Sequence, residues 1–148
     1  MSRYEDDLRR ALKAQFDAGD IREVGNSDTV FAQLSKTYPA SGSKIDWEHV
    51  PGAIECAEED QFLQGERFVE FFEEMRSGFG LTGTVVYVGD SATDFVLEGT
   101  VEAFRRALPE LVAIPQHHYF IGPDFSWCMC LTMEGDMGFG GSITSYRH

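Results

Sequence analysis

At Gly80 the hydrophobic pattern of this chain changes period, and that change restricts the fold more than any motif does. Over residues 58–76, Phe62, Gly65, Phe68, Val69, Phe72 and Met75 fall on one side of a helix turning about 100° per residue. Glu59, Glu66, Glu70, Glu73 and Glu74 fall on the other. From Thr82 to Val88 the β-branched run TGTVVYV reads as a strand instead. Gly78 and Gly80 stop the helix, and Gly65 leaves its apolar side open to close approach by a second element.

The flanking segments extend this picture. Leu8, Ala11, Leu12 and Phe16 recur at helical spacing over 3–16, with Glu5, Asp6 and Asp7 in the first turn. Ser27 or Asp28 caps a second helix carrying Val30, Phe31, Leu34 and Tyr38, and Tyr38-Pro39 closes it. Residues 39–53, with Pro39, Ser41, Gly42, Ser43, Pro51 and Gly52, are loop-like. Trp47 inside that loop either pins it to the core or stands out as a binding anchor. Downstream, Asp94–Glu98 forms a hairpin with the first strand through Gly89-Asp90-Ser91. Thr100 caps a short helix over Val101–Leu108, and Pro109 and Pro115 bracket an irregular connector. His117–Ile121 and Ser126–Thr132 are further strands, Met137–Phe139 a short fifth one, and a weakly patterned tail begins at Gly140. The expectation is a single α+β domain over 1–148. Its N-terminal helices pack on one face of a mostly antiparallel sheet of about five strands, with one inserted helix.

Composition narrows the function classes. The 148 residues carry a formal net charge of −13, which disfavours a nucleic-acid backbone or an anionic membrane as direct partner. Three cysteines, Cys56, Cys128 and Cys130, do not make a disulfide framework. The first residues, MSRYEDDLRRALKAQF, lack the apolar stretch of a signal peptide. A soluble, cytoplasmic protein is expected.

Catalytic motifs are weak. Gly78-Phe79-Gly80-Leu81-Thr82-Gly83 matches G-x-G-x-x-G, but a dinucleotide site needs strand before and helix after, and here the order is reversed. Cys128 and Cys130 share one strand face. As metal ligands they would need His117 or His118 from a neighbouring strand; as ordinary free cysteines they are small core residues. His117 and His118 point to opposite faces, so at most one serves a site with Asp124, Glu134 or Asp136. Trp127, Met129, Leu131 and Met133 share a strand face, with Trp127 read as core. No cofactor or metal is expected.

The acidic residues are unevenly placed. Residues 46–74 hold Asp46, Glu48, Glu55, Glu58, Glu59, Asp60, Glu66, Glu70, Glu73 and Glu74 against the single basic residue Arg67. Glu66/Glu70 and Glu70/Glu74 are like-charged pairs at i,i+4, which disfavour the helix by a few tenths of a kcal/mol each, roughly. A face that costs stability is either merely solvated or used for binding.

A small acidic α+β chain with such a helix face is similar to bacterial immunity proteins and nuclease inhibitors of the barstar type. That resemblance implies carboxylates that meet a basic toxin and speed its association. The segment His118-Tyr119-Phe120 … Asp124-Phe125-Ser126-Trp127-Cys128 … Thr132-Met133-Glu134-Gly135-Asp136 also resembles the closing hairpin of small uncharacterised bacterial proteins, some associated with toxin–immunity loci. The leading expectation is a non-enzymatic acidic binding protein, an immunity protein or inhibitor with a basic protein partner. Its contacts would be Glu59, Glu66, Glu70, Glu73 and Glu74, flanked by Asp46, Trp47, Glu48 and Glu55. The alternatives are a small hydrolase or metal enzyme using His117 or His118 with nearby carboxylates, and a homo-oligomeric adaptor using exposed phenylalanines.

Overall fold

The computed structural model describes residues 3–41 and 44–141. Gly42 and Ser43 of the expected loop, and the tail from Ser142 to His148, lie outside them. The fold is α+β, as expected, and no helix among the described residues is long and apolar enough to cross a membrane.

Two helical segments, α1 (Arg3–Ala11) and α2 (Lys13–Asp17), replace the one helix expected over 3–16. Then follow β1 (Ile21–Asn26), α3 (Ser27–Thr37), β2 (Ala40–Ser41), β3 (Lys44–Ile45), a 3-10 turn at Trp47–His49 and β4 (Ile54–Ala57). The second half holds α4 (Gln64–Phe79), β5 (Thr84–Gly89), β6 (Phe95–Thr100), α5 (Val101–Val112), β7 (His118–Ile121), β8 (Trp127–Leu131) and β9 (Asp136–Gly141). Seven strands form one antiparallel sheet in the order β1-β6-β5-β7-β8-β9-β4, and β2 and β3 form a separate hairpin. The main sheet therefore has two strands more than expected. Both unforeseen strands, β1 and β4, are its edges. On β1 every residue after Ile21 is exposed, so it shows no alternation to read.

The sheet is covered on both faces, which corrects the expectation of helices on one face only. Helices α1, α4 and α5 bury Leu8, Phe68, Phe72, Phe104 and Leu108 against Tyr87, Phe120, Met129 and Phe139 of the sheet. Helix α3 and the Trp47 segment cover the other face, where Leu34, Tyr38, Trp47 and Val50 meet Tyr119, Ile121, Cys128 and Cys130. Alternation along β8 explains the division: Trp127, Met129 and Leu131 enter the first core, Cys128 and Cys130 the second. Met133, expected to share the Trp127 face, lies beyond the strand and is 52% exposed.

Helix α4 starts and ends later than the expected 58–76. Before Gln64, the Glu58 carboxylate accepts the Asp60 N–H at 3.2 Å and the Asp60 carboxylate accepts the Phe62 N–H at 2.9 Å. These side-chain-to-backbone bonds compete with helix formation, so Phe62 lies outside the helix. Gly80, with φ 63° and ψ 40°, terminates α4 in the left-handed conformation. The sequence 78–83 thus runs from helix into strand and carries no dinucleotide geometry. A Cβ placed on Gly65 would be 3.4 Å from Val112, so α4 packs closely against the end of α5. That helix continues past Pro109 to Val112, contrary to expectation, because Leu111 is wholly buried and tertiary packing outweighs the lost backbone bond. Thr100 caps α5 as expected, accepting the Ala103 N–H at 3.0 Å; α3 is capped by Asn26 rather than Ser27 or Asp28.

Candidate functional site

The fold splits the acidic block of residues 46–74 into two electrostatic populations. On the outer side of α4, Arg67 Nη1 lies 3.3 Å from Glu74 and 3.9 Å from Glu70. Arg76 donates to Glu73 at 2.8 Å, and Arg105 reaches the same carboxylate from α5 at 3.9 Å. The Arg76 guanidinium holds the Glu73 carboxyl below its ordinary range. Both members of the Glu70/Glu74 pair are therefore compensated by Arg67, contrary to expectation, whereas Glu66 of the Glu66/Glu70 pair forms no ion pair among the described residues. Arg76 lies just past the block, and Arg105 arrives only through tertiary packing. Asp46 is paired with His49 at 2.6 Å.

The other six acids, Glu48, Glu55, Glu58, Glu59, Asp60 and Glu66, form no ion pair among the described residues. They follow the chain around the β4 edge of the sheet and into the first turn of α4. They are the acids of the block that no cation neutralises directly, so they are the ones most available to an approaching cationic group.

The corner is held by a set of short-range bonds. Glu58 N–H donates to the Gly135 carbonyl at 3.0 Å, which ties the segment before α4 to the β8–β9 turn. Gln64 Nε2 donates back to the Glu58 carbonyl at 3.4 Å. Phe62 stands 84% exposed on this segment, beside Leu63 at 45%. An exposed phenylalanine flanked by unpaired carboxylates is a feature the helical wheel missed. The available signal was Glu58 and Asp60, whose side chains favour a turn at that point.

On the opposite sheet face, a groove of about 430 Å³ runs along β4 between Glu55, Glu48, Lys44 and Asp136, with Trp47 and Cys130 at its base. It brings together three of the expected flanking residues, Trp47, Glu48 and Glu55. The Trp47 indole is only 9% exposed and donates to Cys130 Sγ at 3.3 Å. It therefore pins its segment to the sheet. Gly138 makes this possible: a Cβ there would fall 2.2 Å from the indole.

The histidines occupy two different environments. His118 is buried, with Nε2 donating to the Ile114 carbonyl at 2.9 Å and Nδ1 2.7 Å from the Tyr87 hydroxyl. The first bond makes Nδ1 an acceptor, and Tyr87 in turn accepts from Gln116 at 3.1 Å. Burial lowers the His118 pKa to about 4, so the ring is neutral. His117 accepts the Met133 N–H on Nδ1 at 2.9 Å, and its Nε2 lies 3.8 Å from Asp90. Asp90 was not among the expected partners. Glu134 is ion-paired with Lys44, and neither Asp124 nor Asp136 bonds to either imidazole. Burial pushes the Cys130 thiol up to about 12, and Cys128 well above its ordinary value. Both are protonated at neutral pH, unsuited as nucleophiles. Among the described residues no group of three or more His, Cys, Asp or Glu is placed to hold a metal ion.

No protein-family model matches this chain, and no curated protein matches it.

Proposed function

We propose that this chain is a non-enzymatic acidic binding protein, an immunity protein or inhibitor in type, whose partner is a basic protein. The observation that carries the reading is that six carboxylates between Glu48 and Glu66 form no ion pair among the described residues, four of them (Glu58, Glu59, Asp60 and Glu66) on the segment that leads from β4 into α4. A surface of this kind raises the encounter rate with a cationic partner and repels nucleic acid and anionic lipid. Glu59 and Glu66, with Glu48 and Glu55 on the adjoining groove, are the first contacts. Glu70, Glu73 and Glu74 hold arginines in the free protein and exchange those partners only at a cost, so they contribute less to attraction. In this reading the protein acts in the cytoplasm, where its acidic surface also keeps it soluble.

The test is affinity capture from cells that express the tagged chain, followed by stopped-flow association with the captured protein. The reading expects a basic partner and an association rate that falls steeply between low and physiological salt. Recovery of acidic partners only, or a rate indifferent to salt, overturns it.

A further inference from the structure

The main sheet ends at β4, and the outer side of that edge is open. Glu58 N–H donates to the Gly135 carbonyl, and Thr132 N–H to the Asp136 carbonyl. Strand β4 pairs with β9 as Ile54↔Phe139, Glu55↔Gly138, Cys56↔Met137 and Ala57↔Asp136. In that register the two bonds fix the alternation of the antiparallel ladder. Ile54 and Cys56 exchange bonds with β9, whereas the N–H and C=O of Glu55 and Ala57 point away from the sheet. The outward N–H of Ala53 is already taken, by the Val50 carbonyl at 3.2 Å. Glu55 and Ala57 are exposed, and no strand lies beyond β4 among the described residues. The opposite edge, β1, is interrupted by a register shift between Glu23 and Asn26, the kind of irregularity that turns an edge away from further pairing. The pairing of β4 runs without a shift from Ile54 to Ala57.

Beside this edge lies the groove of about 430 Å³, which the carboxylate residues Glu48, Glu55 and Asp136 line together with the apolar Ile45, Trp47 and Cys130. None of the three carboxylates is ion-paired among the described residues, and Lys44, in the same groove, is held by Glu134. Glu55 shares the groove face with its partner Gly138, over which the Trp47 indole packs. Ile54 and Cys56 are half-buried on the other face, against the helix-side core. Resting on the acidic-binder reading, we infer that the β4 edge receives an extended basic segment of the partner protein as an added antiparallel strand. The segment residues directly opposite Glu55 and Ala57 exchange backbone bonds with them. Their side chains fall on the groove face, where lysine or arginine meets Glu48, Glu55 and Asp136. The residues between them are apolar and extend the cover over Ile54 and Cys56. Backbone bonds supply the attachment, and the alternation of charge and apolar side chains supplies the selection. A second copy of this chain paired edge to edge would bring the Glu48, Glu55 and Asp136 carboxylates of both copies together, a like-charge contact that disfavours it.

The inference is tested by amide chemical-shift titration of the whole chain with short peptides of alternating lysine and valine. One peptide is unmodified, one is N-methylated at every lysine and one at every valine; an all-Lys peptide of equal length is the charge control. The unmodified peptide is expected to shift the amides of Glu55 and Ala57. Methylating its lysines removes the N–H groups that face β4 and is expected to weaken binding roughly tenfold or more. Methylating its valines touches only N–H groups that face solvent and is expected to leave the affinity nearly unchanged. Glu48→Gln combined with Glu55→Gln is expected to weaken the unmodified peptide roughly fivefold or more. Any other response to methylation, or binding by the all-Lys peptide alone, overturns the strand addition and leaves the acidic-binder reading standing. Failure of every cationic peptide to bind overturns the two together. Concentration-dependent dimerisation that is lost in Ala57→Pro, seen by light scattering, also overturns the inference by assigning the edge to a second copy.

Discussion

Phe62 and Phe68 flank the first turns of α4, yet Phe62 is 84% exposed and Phe68 is completely buried. Phe68 stacks on Phe120 with ring centroids 5.7 Å apart, at the centre of the helix-side core. The difference arises from the turn set by Glu58 and Asp60, which keeps Phe62 off the helix. Phe68→Ala is expected to cost about 3–5 kcal/mol of stability. Phe62→Ala is expected to change it by about 0.5 kcal/mol or less. Urea denaturation of the two variants checks the contrast; a large loss in Phe62→Ala would place that ring in the core.

Trp47 depends on the absence of a side chain at Gly138. Adding a methyl group there, 2.2 Å from the indole, forces the ring out or shifts β9. Gly138→Ala is expected to destabilise the fold by about 1–3 kcal/mol and to shift the fluorescence of Trp47 toward that of an exposed indole. Trp127→Phe removes the only other tryptophan, so the signal can be read from Trp47 alone.

His118 makes stability pH-dependent in a known direction. Its folded pKa, near 4, lies below its ordinary value of 6.5. The unfolded chain therefore binds a proton that the folded chain refuses between those values. Stability contributed by the neutral ring is complete above 6.5 and is lost as pH falls toward 4, on the order of 3 kcal/mol in all. Urea midpoints between pH 7 and 4.5 should fall in the wild type and fall less in His118→Gln, which starts from a lower stability. This window lies above the range of the carboxylates whose pKa values are lowered, Glu23, Glu73, Glu102 and Glu134.

Glu5 ties the N-terminal helix to the sheet. Its carboxylate is 5% exposed and accepts the N–H groups of Asp94 at 2.7 Å and Phe95 at 3.3 Å. Glu5→Ala leaves these two donors without that acceptor and is expected to cost about 1–3 kcal/mol. Hydrogen exchange at the amides of Asp94 and Phe95 should accelerate more than exchange in β8.

Periodicity was informative wherever one side of an element is buried and the other is not. It located α4, the β5–β6 hairpin and the two-faced β8, because Phe68, Tyr87 and Trp127 each lie in a regular pattern. It failed at the sheet edges, where β1 is exposed after Ile21 and the four-residue β4 has no fully buried residue. It also failed at Pro109, whose local preference is outweighed by Leu111 beneath it. For the candidate site, the sequence located the acidic block but not its division. Arg105 reaches Glu73 from another helix, and no local count contains that contact. The exposure of Phe62 was hidden by a helical wheel that ran through Glu58 and Asp60 as though they were helical.

The most direct test is the association rate of the captured partner, measured against salt for two charge-neutralised proteins. One carries Glu58→Gln, Glu59→Gln, Asp60→Asn and Glu66→Gln; the other carries Glu70→Gln, Glu73→Gln and Glu74→Gln. The account expects the first set to slow association roughly tenfold or more at low salt and to flatten its salt dependence. It expects the second set to leave the rate nearly unchanged. Equal slowing by both sets, or slowing by the second alone, would contradict the assignment of the binding field to the β4–α4 corner.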